Sequence, residues 1–380
     1  MKFIHTADWQ LGMTRHFLST EAQARFSQAR IDAITTIGAL AAAEHASFVI
    51  VCGDVFESNH VARQVVVRAL EAMGRCVVPI YLLPGNHDPL DAASVFRSPT
   101  FTQHCPANVV VLESSEVVVD PGSGVELVPA PWFSKRPLSD LVTVAARELP
   151  PVPPSEVTLR VAVGHGAVDS VAPDIDNPAI IRLADLDAAL AEHRLHYVAL
   201  GDRHSTTSVG TSGRVWYAGA PEPTDYDETD PGNVLVVELT STQCDVAPVS
   251  TGTWAFARSS FDLNNADDVV HLLAWLDGHG AKDRCIVKLS LVGTLTLQCH
   301  AALLDGLAHQ ADLFGAIEQW DRHTDLAVLP DDADFSSIGL SGFAADALAD
   351  LRHLASPPGP DAVVAVDALA LLFRLSGAAA

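Results

Sequence analysis

Five short apolar runs break off at the same kind of place, a small cluster of glycine and polar donors. Lys2 to Thr6 leads into Asp8-Trp9-Gln10, and Ser47 to Cys52 into Gly53-Asp54. Val77 to Leu83 leads into Gly85-Asn86-His87-Asp88, Leu159 to Val163 into Gly164-His165-Gly166, and His196 to Leu200 into Gly201-Asp202-Arg203-His204. Continuous apolar runs of this length, without alternation, predict strands buried on both faces. Between them, Glu21 to Ala46, Val61 to Gly74 and Ala179 to His193 carry helical periodicity. A β-α-β-α rhythm predicts an α/β layered fold, and such sheets gather ligands at the carboxyl ends of their strands, where each polar cluster stands. Val234 to Leu239 and Asp245 to Val249 are expected to finish the core, with helices 22–43 and 61–72 covering its sheet.

The donor types suggest the chemistry. Asp8, Asp54, Asn86 and Asp202 offer hard oxygens, and His165 and His204 offer imidazole nitrogens. A carboxylate shared by two cations builds the clamp used on phosphate esters, in which the pair polarises the phosphoryl oxygen and acidifies a water for in-line attack. Asp54, central in the order, is the candidate bridge. His87 is placed to act as general acid or to stabilise the leaving group. Taken singly, a Gly-Asp after a strand is an ordinary turn and a histidine beside glycines an ordinary structural residue. The five together are not ordinary. His5, His16, His45, His60 and His104 read as structural or surface residues, and His196 as a packing or hydrogen-bonding one.

The order of these clusters resembles the calcineurin-like metallophosphoesterases. Within them, KFIHTADWQLG, VCGDVFES and LPGNHD resemble the Mre11/SbcD nuclease subunits of DNA repair. The resemblance covers about residues 1–250, and CIVKLSLVGTL resembles the capping domain of that family. It implies a four-layer α/β/β/α sandwich at 1–253, a small α/β capping domain at 254–330 and a helical tail at 331–380. It implies two Mn²⁺ ions (Mg²⁺ being the alternative), action on DNA ends, a Rad50/SbcC-like coiled-coil ATPase partner and homodimers. One ion would take Asp8, Gln10, Asp54 and His204. The other would take Asp54, Asn86, His165 and Asp202, with His87 as the catalytic histidine. Gln10 and Asp202 stand where the family carries histidines, which makes the site harder and favours Mn²⁺ or Mg²⁺ over Zn²⁺. Glu57 stands where its nucleases often carry a histidine.

Composition limits these readings. The formal charge of −24 from 23 Lys and Arg against 47 Asp and Glu argues against DNA affinity from the chain's own field. The substrate would be small, or the DNA delivered by a basic partner, or the field reversed locally by the metals. Lys135, Arg136 and Arg203 are candidate phosphate contacts, Lys135 and Arg136 equally readable as a solvated loop. The six cysteines lack paired spacing and read as free thiols in a reducing, cytoplasmic setting. No signal peptide or membrane span is expected. PPVPP at 150–154 reads as a rigid surface connection and Thr224 to Gly232 as a solvated acidic turn. Beyond Trp254, helices are expected at Asp267–Leu276 and His300–Ala311 with a strand at Cys285–Leu291. Tail helices Phe343–Leu354 and Ala362–Leu375 flank SPPGP. The second of these carries Val363, Val364, Val366, Leu369, Leu372, Phe373 and Leu375, and so packs on its own cap or on a partner helix. The leading expectation is a DNA nuclease. A phosphodiesterase for a nucleotide or other small diester, and a weakly active scaffold for a DNA-processing ATPase, remain beside it.

Overall fold

The computed structural model describes residues 1–153, 156–172, 176–329, 341–355, 362, 364, 365, 368, 369, 371 and 372. Two compact units divide the chain, one of residues 1–16 and 23–254, the other of 17–22 and 255–380. In the first unit, one sheet is built on parallel strands β1 (Lys2–Thr6), β2 (Val49–Cys52), β3 (Ile80–Leu83) and β4 (Val109–Val111). A second sheet is built on β5 (Val118–Val119), β6 (Glu126–Pro129), β7 (Arg160–His165), β8 (Tyr197–Gly201), β9 (Thr207–Val209) and β10 (Val215–Tyr217). Its order is β5-β6-β7-β8-β10-β9, parallel from β6 through β10 with antiparallel strands at each edge. The hairpin β11 (Asn233–Leu239) and β12 (Cys244–Ser250) returns to the first sheet beside β1, giving β12-β11-β1-β2-β3-β4.

The two sheets face each other. Phe3, Ile50, Tyr81 and Leu83 of the first pack on Leu127, Val161, Val163 and Tyr197 of the second. The outer face of the first sheet is covered by α1 (Thr20–Ala43) and α2 (Arg63–Gly74). In α1, Phe26, Ala29, Ala33, Ile37 and Ala41 are buried at helical spacing; in α2, Val66, Ala69, Leu70 and Met73 are. Between α2 and β4 lies the short helix α3 (Pro99–His104). The outer face of the second sheet is covered by α4 (Leu141–Arg147), capped by the Asp140 carboxylate, and α5 (Leu183–Ala191). The result is the four-layer α/β/β/α order, with α1 and α2 on a sheet as expected. Strand ends shift by a few residues: the β2 run starts at Val49 and the β3 run at Ile80, because Ser47 and Val77 lie outside the ladders. The antiparallel edge strands β5 and β9 and the short helices α3 and α4 carry too few periodic positions to be read from the chain.

His5 pins the two sheets together. Its Nε2–H donates to the Leu200 carbonyl at 3.1 Å, and its Nδ1 accepts from the Tyr197 hydroxyl at 3.1 Å. Complete burial lowers its pKa from 6.5 to about 3. Only the unfolded chain then takes up this proton, so the stability His5 contributes is present above pH 6.5 and is lost as pH falls toward 3. At about 1.4 kcal/mol for each tenfold change in proton affinity, the loss is at most about 5 kcal/mol. His5→Gln is expected to unfold with a shallower pH slope than the natural chain between pH 6.5 and 3, measured by urea midpoints. Equal slopes would show that burying His5 carries no such cost.

The second unit carries one parallel sheet of β13 (Ala255–Leu263), β14 (Cys285–Thr296), β15 (Ala316–Gln319) and β16 (Asp325–Leu329), with β14 central. Two helices, α6 (Ala266–Asp277) and α7 (Leu297–Ala311), pack on it through Val269, Leu272, Leu276 and Leu303. The N-terminus of α6 is fixed by a reciprocal capping box of Asn265 and Asp268. The tail helix α8 (Phe343–Ala355) places Leu348 against Ala327 and Leu369. SPPGP and half of residues 362–375 lie outside the described residues, as does part of PPVPP. The six cysteines are free, three of them buried. No helix among the described residues is long and apolar enough to cross a membrane.

Candidate metal centre

The loops after β1 and β2 are laced together residue by residue. Asp8 N–H donates to Gly53 O at 3.1 Å, Gln10 N–H to Asp54 O at 3.0 Å and Leu11 N–H to Val55 O at 2.9 Å. The lacing requires unusual backbone: Asp8, Gln10 and Asp54 have φ near +50°, and Asp202 has φ of 94°. Left-handed backbone at non-glycine residues costs about 1–3 kcal/mol each and persists only where its surroundings impose it. Four of the seven candidate ligands therefore sit in strained conformations at strand ends, which is where functional sites store strain.

Two glycines show why the motifs are spelled as they are. A Cβ on Gly201 would stand 1.8 Å from the Cys52 carbonyl oxygen, and one on Gly53 2.0 Å from His165 Nδ1. The ends of β2, β7 and β8 thus approach closer than any side chain permits. That closeness lets His165 Nδ1 donate across the sheets to Cys52 O at 2.8 Å. The carbonyl can only accept, so Nδ1 carries the proton and Nε2 turns inward. The Trp132 indole donates to the His165 carbonyl at 2.8 Å and its ring stands edge-on to the imidazole.

Around His165 Nε2 lie Asn86 Oδ1 at 2.7 Å, Asp54 Oδ1 at 3.5 Å and Asp202 Oδ1 at 3.7 Å. Ligand atoms of Asp8, Asp54 and His165, all three residues buried, lie within 4.8 Å of one another. Asp202 N–H reaches both Asp8 oxygens at 3.1 Å. Gln10 Nε2 donates to Asp54 Oδ2 at 3.3 Å, while Gln10 Oε1 is buried without a hydrogen-bond partner among the described residues. His87 Nδ1–H donates to the Glu57 carbonyl at 3.0 Å, which aims Nε2 at Asp54 Oδ2, 3.9 Å away. Its side chain is 40 % exposed, so it stands at the open rim. Asp54 Oδ1 accepts from the His87 backbone N–H at 2.9 Å.

Charge in the cluster is unbalanced. Burial, with Asp54 and Asp202 adding to it, raises the Asp8 carboxyl to about 7 against the pull of His204 and His165. Burial disfavours charge on His165 and His204, yet the surrounding carboxylates prevail. Asp54, Asp202 and Asp8 hold His165 at about 9, and Glu228 with Asp8 and Asp54 holds His204 at about 9. Several acceptors aimed at one volume, an orphaned buried amide oxygen and imidazoles driven to take up protons form a donor set that fits divalent cations.

Arg203 is exposed and its Nε donates to Thr207 Oγ1 at 3.0 Å. Lys135 and Arg136 lie exposed in the loop after Trp132. His196 Nδ1 accepts from Arg160 N–H, a structural use. Three supporting residues are not assigned from the chain alone. Fully buried Asp88 accepts from Phe56 N–H at 2.9 Å and Gly85 N–H at 2.8 Å, tying the loops after β2 and β3. Its place as the last letter of Gly-Asn-His-Asp is the signal that could have found it. Thr224 is 1 % exposed and the Glu228 side chain 7 %. The acidic turn expected to be solvated is therefore folded inward at these two positions, because Glu228 accepts from Thr224 N–H and Oγ1–H and faces His204.

The sequence model of the calcineurin-like phosphoesterases matches residues 1–206, more than half the chain and all five strand-end clusters. The chain belongs to that family. Its members are metal-dependent phosphoester hydrolases that typically hold two divalent metals. No curated protein matches this phosphoesterase. Its fold is similar to that of TT1561 from Thermus thermophilus, at 7 % identity and a TM-score of 0.40, over 65 % of this chain and 98 % of that one. It is also similar to a dimetal phosphatase from Danio rerio, at 13 % identity and a TM-score of 0.39, over 66 % of this chain and 99 % of that one.

Proposed function

We propose that this phosphoesterase hydrolyses phosphodiester bonds in DNA, as the nuclease subunit of an Mre11/SbcD-like repair complex. The observation that carries the reading is the ordered set DWQLG, GDVFES and GNHD, whose donors lie together in one cluster. Asp8, Gln10, Asp54 and His204 would hold one divalent ion, and Asp54, Asn86, His165 and Asp202 the other. When bound, the pair supplies Lewis acidity toward the phosphoryl group and an acidified water as nucleophile. Asp54, a ligand common to both sets, would be the carboxylate the two ions share. His87, its Nδ1–H held by the Glu57 carbonyl, offers Nε2 at the rim. As the doubly protonated imidazolium it would give its Nε2 proton to the departing oxygen and be left as the neutral ring. The oxygen-rich donor set favours Mn²⁺, then Mg²⁺, over Zn²⁺. A Rad50/SbcC-like coiled-coil ATPase would dock on the tail, whose Val364 and Leu371 face solvent. Arg203, Lys135 and Arg136 are exposed cations that would contact DNA phosphates, and a homodimer would double the site.

The formal charge of −24 favours a second reading, a phosphodiesterase for a nucleotide or other small diester. The buried amide at Gln10 favours a third, a scaffold with a weakened site. One assay separates them: Mn²⁺-dependent cleavage of single-stranded DNA, DNA hairpins and an aryl phosphodiester, with chelator as the blank. Cleavage of DNA and of the diester, both abolished by chelator and restored better by Mn²⁺ than Zn²⁺, is expected. Apparent Mn²⁺ affinity should rise from pH 7 to 9, because the ions must displace protons held by Asp8 near 7 and by His165 and His204 near 9. Cleavage of the diester alone points to the small-substrate enzyme, and no cleavage at all to the scaffold.

A further inference from the structure

The turn that carries Thr224 and Glu228 has no part in the ligand set, yet its one buried acid is turned toward one of the candidate ligands. His204 Nδ1 lies 2.6 Å from Thr224 Oγ1 and 3.2 Å from Glu228 Oε1. Thr224 Oγ1 has one proton, and it goes to the Glu228 carboxylate, which has none to give. The threonine oxygen is therefore left to accept, and among the described residues the donor facing it is His204 Nδ1. A hydrogen at Nδ1 leaves the lone pair of the neutral ring on Nε2, the side away from this turn. The hydroxyl thus acts as a relay whose direction is set by the carboxylate behind it.

The relay is held rigidly. Glu228 also accepts from the Thr224 backbone N–H, at 2.9 Å from Oε2. Behind the turn, Arg15 Nη2 donates to the Thr224 carbonyl, and buried Arg30 donates to the Pro223 carbonyl at 3.2 Å. Ser205 Oγ accepts from Thr229 N–H at 2.9 Å, joining the end of the turn to the loop that bears His204. The backbone on either side of Thr224 is pinned by cations, and its side chain by an anion. Such rigidity costs conformational freedom that an ordinary solvated turn would keep.

We infer that Thr224 and Glu228 are positioning residues for His204, fixing its tautomer and ring orientation for one of the two metal ions. The inference rests on the dinuclear reading above and deepens it. Outer partners of this kind change metal affinity by about 10–100-fold without touching the ion. The test uses the full chain, stripped of metal and titrated with Mn²⁺, following free Mn²⁺ by electron paramagnetic resonance. Thr224→Val keeps the shape and loses the oxygen; Thr224→Ser keeps the oxygen and loses the methyl group; Glu228→Gln keeps the shape and loses the charge. Thr224→Val and Glu228→Gln should weaken one of two Mn²⁺ sites about 10–100-fold and leave the other unchanged, while Thr224→Ser binds like the natural chain. A purely structural threonine would give the reverse order, Val tolerated and Ser impaired, and would overturn the inference. So would natural affinity in both Thr224→Val and Glu228→Gln while the natural chain binds two ions. A natural chain that binds no Mn²⁺ would instead bring down the dinuclear reading itself.

Discussion

Asp54→Asn is expected to lower phosphodiester hydrolysis by about 10³-fold or more while leaving the fold intact, a loss of at least about 4 kcal/mol in transition-state stabilisation. The loops of the site meet at this carboxylate. Oδ1 accepts the His87 N–H at 2.9 Å and stands 3.5 Å from His165 Nε2, and Oδ2 accepts from Gln10 at 3.3 Å. Asparagine keeps one acceptor for the His87 N–H, so the Gly-Asn-His-Asp loop should hold its place. What disappears is the charge that two cations would share. The readout is kcat/KM on an aryl phosphodiester in saturating Mn²⁺, with circular dichroism to confirm folding. Activity within tenfold of the natural chain would show that Asp54 is not shared.

His87→Ala should cost about 10²–10⁴-fold, the usual contribution of a positioned general acid, with Mn²⁺ affinity unchanged. The half-exposed ring stands at the rim, and its Nε2 lies 3.9 Å from Asp54 Oδ2, beyond hydrogen-bond distance. Because the proton matters most when the departing oxygen is basic, the loss should shrink as the leaving group becomes more acidic. A nitrophenyl diester should suffer less than an alkyl one. Equal losses on both substrates would reassign His87 to charge stabilisation.

Much of this arrangement is legible in the chain because its physics is local. The run at 49–52 is apolar without alternation since both of its faces are buried, one under α1 and α2 and the other against the second sheet. The glycines in Gly-Asp and Gly-Asp-Arg-His mark where β2, β7 and β8 crowd together, so the motif records a steric fact about three distant segments. Other features are set by tertiary contacts that leave no periodic trace. The edge strands β5 and β9 are too short to show a pattern. Glu228 looks like any acid in TDYDETDPG, and only the approach of His204 gives it a buried role. The left-handed backbone at Asp8, Gln10 and Asp54 is likewise imposed by the lacing of two loops 44 residues apart, as the Gln10–Asp54 pair shows.

Electron paramagnetic resonance of the full chain with two equivalents of Mn²⁺ tests most directly whether Asp54 is shared between two ions. The expected result is the multiline spectrum of two Mn²⁺ ions coupled about 3.5–4 Å apart, replaced in Asp54→Asn by the six-line signal of isolated Mn²⁺. An uncoupled six-line spectrum in the natural chain, or binding of a single ion, would contradict it.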